Sequence, residues 1–359
     1  MRSNYDVLGK HIRLVDFRNK DEVTNTVLGI SINKEFMPSV ANVIGTDLSR
    51  YKLIQKGMFA CNPMHVGRDE RLPIALYKDD IPAIVSPAYF MFEIIDPTIL
   101  DMDYLMMWFR RPEFDRECWF MTDGSVRGGI TWDDLCRIRI PVPPIEKQRS
   151  IVKAYQTITD RIALKRKVNE NLEASALAIY RKFFVEDIDE SNLPEGWAMG
   201  TLKDIYRFQY GKGNTNPDNG GKYPIYGSNG VIGGYHEFNN QNAPVIGHIG
   251  AAGSLNFAFG KHYVTYNGIM CNILKAKNIY FGYMTLYAQN LAAQVRGSTQ
   301  PFISYDMLYE IKTVLPTDDV LTDFHRIITP LMEHERVIQQ EIQRLKQLQV
   351  IMQEKLSSV

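Results

Sequence analysis

The sequence predicts an α+β chain made of two mixed α/β domains, each followed by a long helix, with the two helices pairing as an antiparallel coiled coil about a pseudo-twofold axis. Two observations carry this. A stretch from Gly124 to Phe184 recurs from Gly297 to Leu356 at a constant offset of 173 residues, and a repeat of that length describes the whole architecture. Within each copy, apolar residues return every seven positions, the seam spacing of a helix packed on another helix.

The matched pairs are Gly124 with Gly297, Ser125 with Ser298, Ile130 with Ile303, Trp132 with Tyr305, Asp133 with Asp306, Leu135 with Leu308, Ile138 with Ile311 and Pro143 with Pro316. The register continues through Ile158 with Leu331, Leu172 with Leu345 and Ile179 with Met352.

Taken in order, residues 1–144 form the first domain. The runs VTNTVLGIS, YKLIQKGMFACNP and AIVSPAYFMFEII are rich in β-branched and aromatic residues and are punctuated by Gly, Pro and Asn, so they read as short strands. One helix is predicted at Met102–Phe109, stopped by Pro112. A helical turn follows at Thr131–Leu135, then a strand at Arg137–Val142. The paired prolines Pro143 and Pro144 open the central helix, 145–185, whose seam is Ile151, Ile158, Lys165, Leu172 and Ile179, broadened by Tyr155, Ile162, Val168 and Phe183. Residues 186–199 are an acidic linker. The second domain, 200–316, carries three Gly-rich stretches, YGKGNTN, YPIYGSNGVIGGY and VIGHIGAAGS, between strand-like runs. The last helix, 317–359, repeats the seam with Leu331, Ile338, Leu345 and Met352, and Thr317 or Asp318 is placed to cap it.

At 359 residues the chain is long enough for two or three cores. No apolar run reaches the ~18 residues of a membrane span, and the start lacks a signal's apolar core, so a cytoplasmic protein is expected. The four cysteines stand far apart, without the paired spacing of a zinc site. Net charge is zero, but its distribution is uneven. Residues 145–185 carry nine basic against four acidic side chains, and residues 200–313 nine against five. Local charge of this kind permits phosphate contact, because salt screens beyond ~10 Å.

Catalytic constellations are scarce. There is no phosphate-binding P-loop, zinc-protease helix or nucleophile elbow. Asn62-Pro63-Met64-His65 resembles the catalytic turn of DNA amino-methyltransferases, but no FxGxG loop for a methyl donor precedes it, and a turn between strands accounts for it. Polar side chains near the glycine-rich loops suit recognition, since Asn reads adenine edges and Lys or Arg reads guanine or phosphate. The candidates for DNA contact are Arg68, Lys212, Asn214, Asn229, His248 and Tyr266, followed by Tyr51 and Arg127.

The paired junctions, the PPIEKQRSIV helix entry and the YPIYGSNGVIGGY…VIGHIGAAGS…YVTYN run together resemble the specificity subunit of type I restriction-modification systems. The resemblance covers essentially the whole chain. It implies a non-catalytic subunit with two target recognition domains, each for one half of a bipartite double-stranded DNA site. The helices would set the spacing, a forty-residue helix being about 60 Å long. They would also dock two modification subunits, which carry S-adenosylmethionine, and restriction subunits would join that core. No cofactor or metal is expected in this chain. Two other classes remain open at this point: an adenine-methyltransferase-related enzyme using Asn62–His65, and a helical adaptor.

Overall fold

The computed structural model describes residues 4–39, 45–64, 66–122, 128–213, 220–297 and 300–358. Two compact units are present: Met1–Ala163 with Gln343–Val359, and Leu164–Ile342.

In the first unit, β1 (Tyr5–Val7) pairs antiparallel with β10 (Arg139–Pro141). Between them run β2 (Ile12–Leu14), β3 (Val27–Ile30), β4 (Phe36–Pro38), β5 (Lys52–Ile54), β6 (Phe59–Cys61), β7 (Ile74–Leu76), β8 (Ala83–Val85) and β9 (Phe90–Ile94). They form two four-stranded sheets in the orders β2-β9-β6-β7 and β4-β3-β8-β5. The helices are α1 (Val66–Asp69), α2 (Met102–Phe109), α3 (Pro112–Phe120) and α4 (Trp132–Arg137). The expected helix α2 is there, capped by Asp101, which accepts from the Asp103 and Tyr104 amides. Pro112 does more than stop it. Proline lacks an amide hydrogen that the first helical turn would leave unpaired, so Pro112 opens α3, a helix beyond those expected from the sequence.

The second unit repeats this frame. β11 (Ala198–Thr201) pairs antiparallel with β18 (Lys312–Leu315). The sheet between them has the order β12-β17-β15-β16-β13-β14, made of β12 (Tyr206–Tyr210), β13 (Tyr223–Gly227), β14 (Gly230–Tyr235), β15 (Asn240–Gly247), β16 (Leu255–Val264) and β17 (Gly268–Ile273). Its first four strands follow the same order and directions as β2-β9-β6-β7. Helix α6 (Ile279–Ala288) is apolar on every side, so it carries no amphipathic signal, and it lies buried. Helix α7 (Tyr305–Tyr309) precedes β18.

The 173-residue offset reappears bond by bond. Thr131 caps α4 by accepting from the Asp134 amide, and Ser304 caps α7 by accepting from Met307. The Leu8 amide donates to the Ile138 carbonyl at 2.8 Å, and the Leu202 amide to that of Ile311 at 3.0 Å. Ile130, Leu135, Ile303 and Leu308 are all buried.

The long helices are α5 (Ile145–Phe184) and α8 (Asp318–Lys355). They run antiparallel within each unit. In the first, Gln353 donates to the Tyr155 hydroxyl at 3.1 Å and Gln349 to Thr159 at 2.8 Å. In the second, Lys165 pairs with Glu341, and Tyr180, Phe183 and Phe184 pack on Phe324. The expected seam residues Ile151, Ile158, Leu172, Ile179, Leu331, Leu345 and Met352 are half-buried, while Ile338 is buried. The deeper series is the other one of the heptad: Ile162 and Ala176 on α5, and Leu321, Ile328, Glu335, Ile342 and Leu356 in α8 and the turn after it. Lys165, out of place as an apolar seam residue, is matched by the carboxylate of Glu341.

Gln148 is fully buried at the start of α5. Its amide nitrogen donates to the Ile99 and Pro143 carbonyls, and its oxygen accepts from the Asp101 amide at 2.9 Å. It therefore ties the helix entry to the cap of α2. Gln148→Ala would leave three backbone groups without their partner, one of the bonds buried and two part-buried, each group costing up to about 1–3 kcal/mol if unsatisfied. A loss of at least about 2 kcal/mol in denaturant unfolding is expected, and an unchanged midpoint would contradict this role.

Glu335 is buried on α8. Desolvation, helped by the charge of Glu173 and opposed by the bond from Gln339, pushes its carboxyl up to about 7. Between pH 4.5 and about 7 the folded state therefore holds a proton that the unfolded state has lost, so this group's contribution falls as pH rises through that window. The effect is at most about 3 kcal/mol. Glu335→Gln should raise the thermal midpoint at pH 8 and change it little at pH 4.5, and an equal shift at both pH values would refute the assignment.

Candidate nucleic-acid interface

The described parts of the glycine-rich stretches converge on one end of the second unit's sheet, because each is the turn after a strand of that sheet. Strands β13 and β14 are joined by Ser228 and Asn229, with Gly230 at φ 84° supplying the left-handed residue that this tight hairpin needs. Next to it lies the loop 248–253. The Gly247 amide donates to the Ser254 carbonyl at 2.8 Å, and the Ser254 hydroxyl donates to the Ser228 carbonyl. Gly247 has to be glycine: a Cβ there would collide with the carbonyl oxygens of Ala251 and Ser228.

The turn 265–267 joins the same edge. The Thr265 amide donates to the Tyr226 carbonyl at 3.0 Å, the His248 amide to Asn267 at 2.8 Å, and the Tyr266 amide to Gly213 at 2.9 Å. Lys212, through its amide, bonds the Val264 carbonyl at 3.0 Å. Four residues distant in sequence are so brought together: Lys212, Asn229, His248 and Tyr266.

Their side chains differ in availability. Lys212 and Asn229 are exposed. Tyr266 is 44% exposed and is held by rings beneath it. Tyr210 lies 4.4 Å from His248, 4.8 Å from Tyr305 and 5.7 Å from Tyr266 between ring centroids. Burial pushes the Tyr210 phenol up, so it stays neutral. His248 is only 6% exposed, and its Nδ1 stands 2.6 Å from the Ile303 carbonyl. A carbonyl can only accept, so Nδ1 carries the proton there. The structure thus places His248 under the surface, as the support of Tyr266 and of the junction, where the sequence reading had it contacting DNA. A lone histidine in a glycine-rich loop gave no sign of this, since its burial comes from Tyr210 and Tyr266.

In the first unit, Arg68 is exposed on α1, its guanidinium held two-pronged by Asp69 at 2.7 and 2.9 Å. Tyr51 is half-buried, and its carbonyl accepts from the Asn19 amide at 3.0 Å. Asn62 accepts from the Met64 amide at 3.2 Å, the turn that the sequence suggested. Asn214, Arg127 and His65 lie outside the described residues. Among the described residues no group of His, Cys, Asp and Glu side chains could hold a metal ion, and no helix is long and apolar enough to cross a membrane.

Exposed amide and cationic side chains around a tyrosine on a rigid turn cluster can bond base edges and phosphates and can stack. Comparison with known proteins points the same way. The family model described as the type I restriction modification DNA specificity domain matches residues 75–174 and 194–347. Over 284 residues, 68% of this chain and 66% of the relative, the sequence is 22% identical to the specificity subunit of the type I restriction enzyme MjaIX of Methanocaldococcus jannaschii. A 54-residue stretch, 15% of this chain and 13% of the relative, is 43% identical to the putative MjaX specificity subunit of the same organism. The chain matches just under two thirds of the first relative's length and much less of the second. A crystal structure of the type I restriction-modification S subunit from M. genitalium shares the fold, with a TM-score of 0.56, 16% identity, and coverage of 99% of this chain and 96% of that one.

Gly247→Ala should push the loop 248–253 away from the hairpin turn. Faster amide hydrogen exchange at residues 228–230 and 248–254, with the rest of the unit unchanged, is the expected result. Unaltered protection of both segments would show that the close approach is dispensable.

Proposed function

This chain belongs to the type I restriction-modification DNA specificity family, and on that footing we propose that each of its units reads one half of a split duplex DNA site. The supporting observation is a shared frame with unlike loops. The same strand pair, the same four-strand order and the same helix caps recur in both units, while the turns between strands differ in length and sequence. A common frame suits one geometry of approach, and different loops suit two different half-sites.

In this reading the chain performs no chemistry. Lys212 contacts phosphate, Asn229 bonds a base edge, and Tyr266 packs against the backbone or a base. Helices α5 and α8 set the separation of the half-sites and dock two modification subunits. These subunits carry S-adenosylmethionine, and restriction subunits complete the assembly. The protein acts where the DNA is, in the cytoplasm. Asn62 serves its own turn, and nothing favours the methyltransferase reading over this one.

The test is co-purification with the partner adenine methyltransferase, followed by sequencing of methylated motifs. A split motif with a fixed gap is expected, and a continuous motif, or methylation by this chain alone, would sink the reading. Asn229→Ala should weaken recognition of one half-site about tenfold and spare the other. Lys212→Ala should lower affinity evenly across sequences and reduce the salt dependence by about one counterion. An equal loss at both half-sites for Asn229→Ala would remove that residue from the interface.

A further inference from the structure

The hydrogen bonds of the frame carry the correspondence between units past the repeat seen in the sequence. In the second unit the Gly247 amide donates to Ser254 at 2.8 Å, and the Ile303 amide donates to His248 at 3.0 Å. In the first, the Asn62 amide donates to Pro73 at 2.8 Å, and the Ile130 amide donates to Pro63 at 3.1 Å. Ile130 and Ile303 are the same position of the repeat, and β6 and β15 are each third in the shared strand order. Residues 63–72 therefore occupy the place of 248–253, the loop that abuts the Asn229 turn. They are four longer, and the extra length is folded as α1.

The described residues of this loop, 63–64 and 66–72, are anchored at several points. Val66 and Leu72 are fully buried. The Gly67 amide donates to the Gly128 carbonyl at 3.0 Å, and a Cβ on Gly129 would come within 2.8 Å of the Pro63 carbonyl oxygen. The Leu72 amide donates at 3.0 Å to Asp115 Oδ1, which also takes the ammonium of buried Lys34 at 2.7 Å. Lys34 lies in the β3–β4 hairpin, so Asp115 joins hairpin and loop, as the Ser254–Ser228 bond does in the second unit. What stays outside is Met64, Arg68, Glu70 and Arg71. Asp69 holds the Arg68 fork in the two-pronged geometry that also fits the O6 and N7 of guanine. The arginine of this pair is exposed, and an ion pair open to water is worth little, so Arg68 can exchange it for a base edge.

We propose that residues 66–72 are the base-reading segment of the first unit, with Arg68 taking a guanine edge in the major groove and Arg71 contacting phosphate. This rests on the reading that each unit addresses one half-site. The experiment uses the full complex with its methyltransferase subunits, scored by methylated-motif sequencing and by binding to duplexes with either half scrambled. Arg68→Ala should erase the preference at one G·C pair, in the half that Asn229→Ala spares, and weaken cognate binding ten- to a hundredfold. Arg68→Lys should restore it only in part, because it lacks the fork. Arg71→Ala should weaken all sequences alike and lower the salt dependence by about one counterion. Both side chains are exposed, so the variants fold. An Arg68→Ala motif identical to wild type, or altered in the half governed by Asn229, would overturn the assignment while leaving the two-half reading intact. A continuous wild-type motif would overturn that reading first, and this assignment with it.

Discussion

Each unit depends on one clasp. Its first strand pairs antiparallel with the strand that immediately precedes a long helix, and the next leucine amide, from Leu8 or Leu202, bonds the carbonyl of Ile138 or Ile311. The leucines are fully buried, so an unmade bond there would leave polar groups without water. The clasp holds the beginning of the unit against the exit of its sheet and so fixes where the helix starts. Everything between is free to vary in loop length, because the ends are already closed. The first unit adds β5 and α1 to the frame and splits one long strand in two, without disturbing the clasp.

The helices show how polar residues set register. A purely apolar seam can slide by a heptad with little penalty. Here Lys165 meets Glu341, Gln349 meets Thr159, and Gln353 meets Tyr155. Buried polar groups are costly when unpaired, so each pairing penalises every other register. Glu335 is the exception that costs stability at neutral pH, since Gln339 offers its carboxylate only a partial replacement for water. At the outer ends the helices stop being a seam. Tyr180 and Phe184 join Phe281 and Phe324 in the second unit's core, and Leu356 enters the first. Full burial of such side chains contributes about 1.5–3 kcal/mol each, enough to anchor a helix end firmly.

The loop cluster of the second unit is assembled by backbone, and glycines allow it. Gly247 and Gly230 permit the close turns on which Asn229 and Tyr266 are displayed. The stack of Tyr210, His248 and Tyr305 then keeps Tyr266 at the surface without letting it collapse inward. The first unit reaches the same end differently. Where the second uses small residues to bring loop and hairpin together, the first uses the buried charge pair of Lys34 and Asp115. A buried pair tolerates loss of neither partner, so Asp115 holds this hairpin to the loop.

The sequence by itself determined the two-unit frame, the long helices and the family. The repeat at offset 173 needs no three-dimensional information, and its apolar junction residues Ile130, Leu135, Ile138, Ile303, Leu308 and Ile311 are all buried. Period and repetition are local properties of a chain. The tertiary structure alone decided which heptad series lies deepest, that Lys165 has a partner, that His248 is support, and that the loop after Asn62 corresponds to the loop after Gly247. These facts depend on contacts between residues far apart in sequence. α6 is illegible in the sequence for the same reason: a helix buried on every side has no polar face to give it a period.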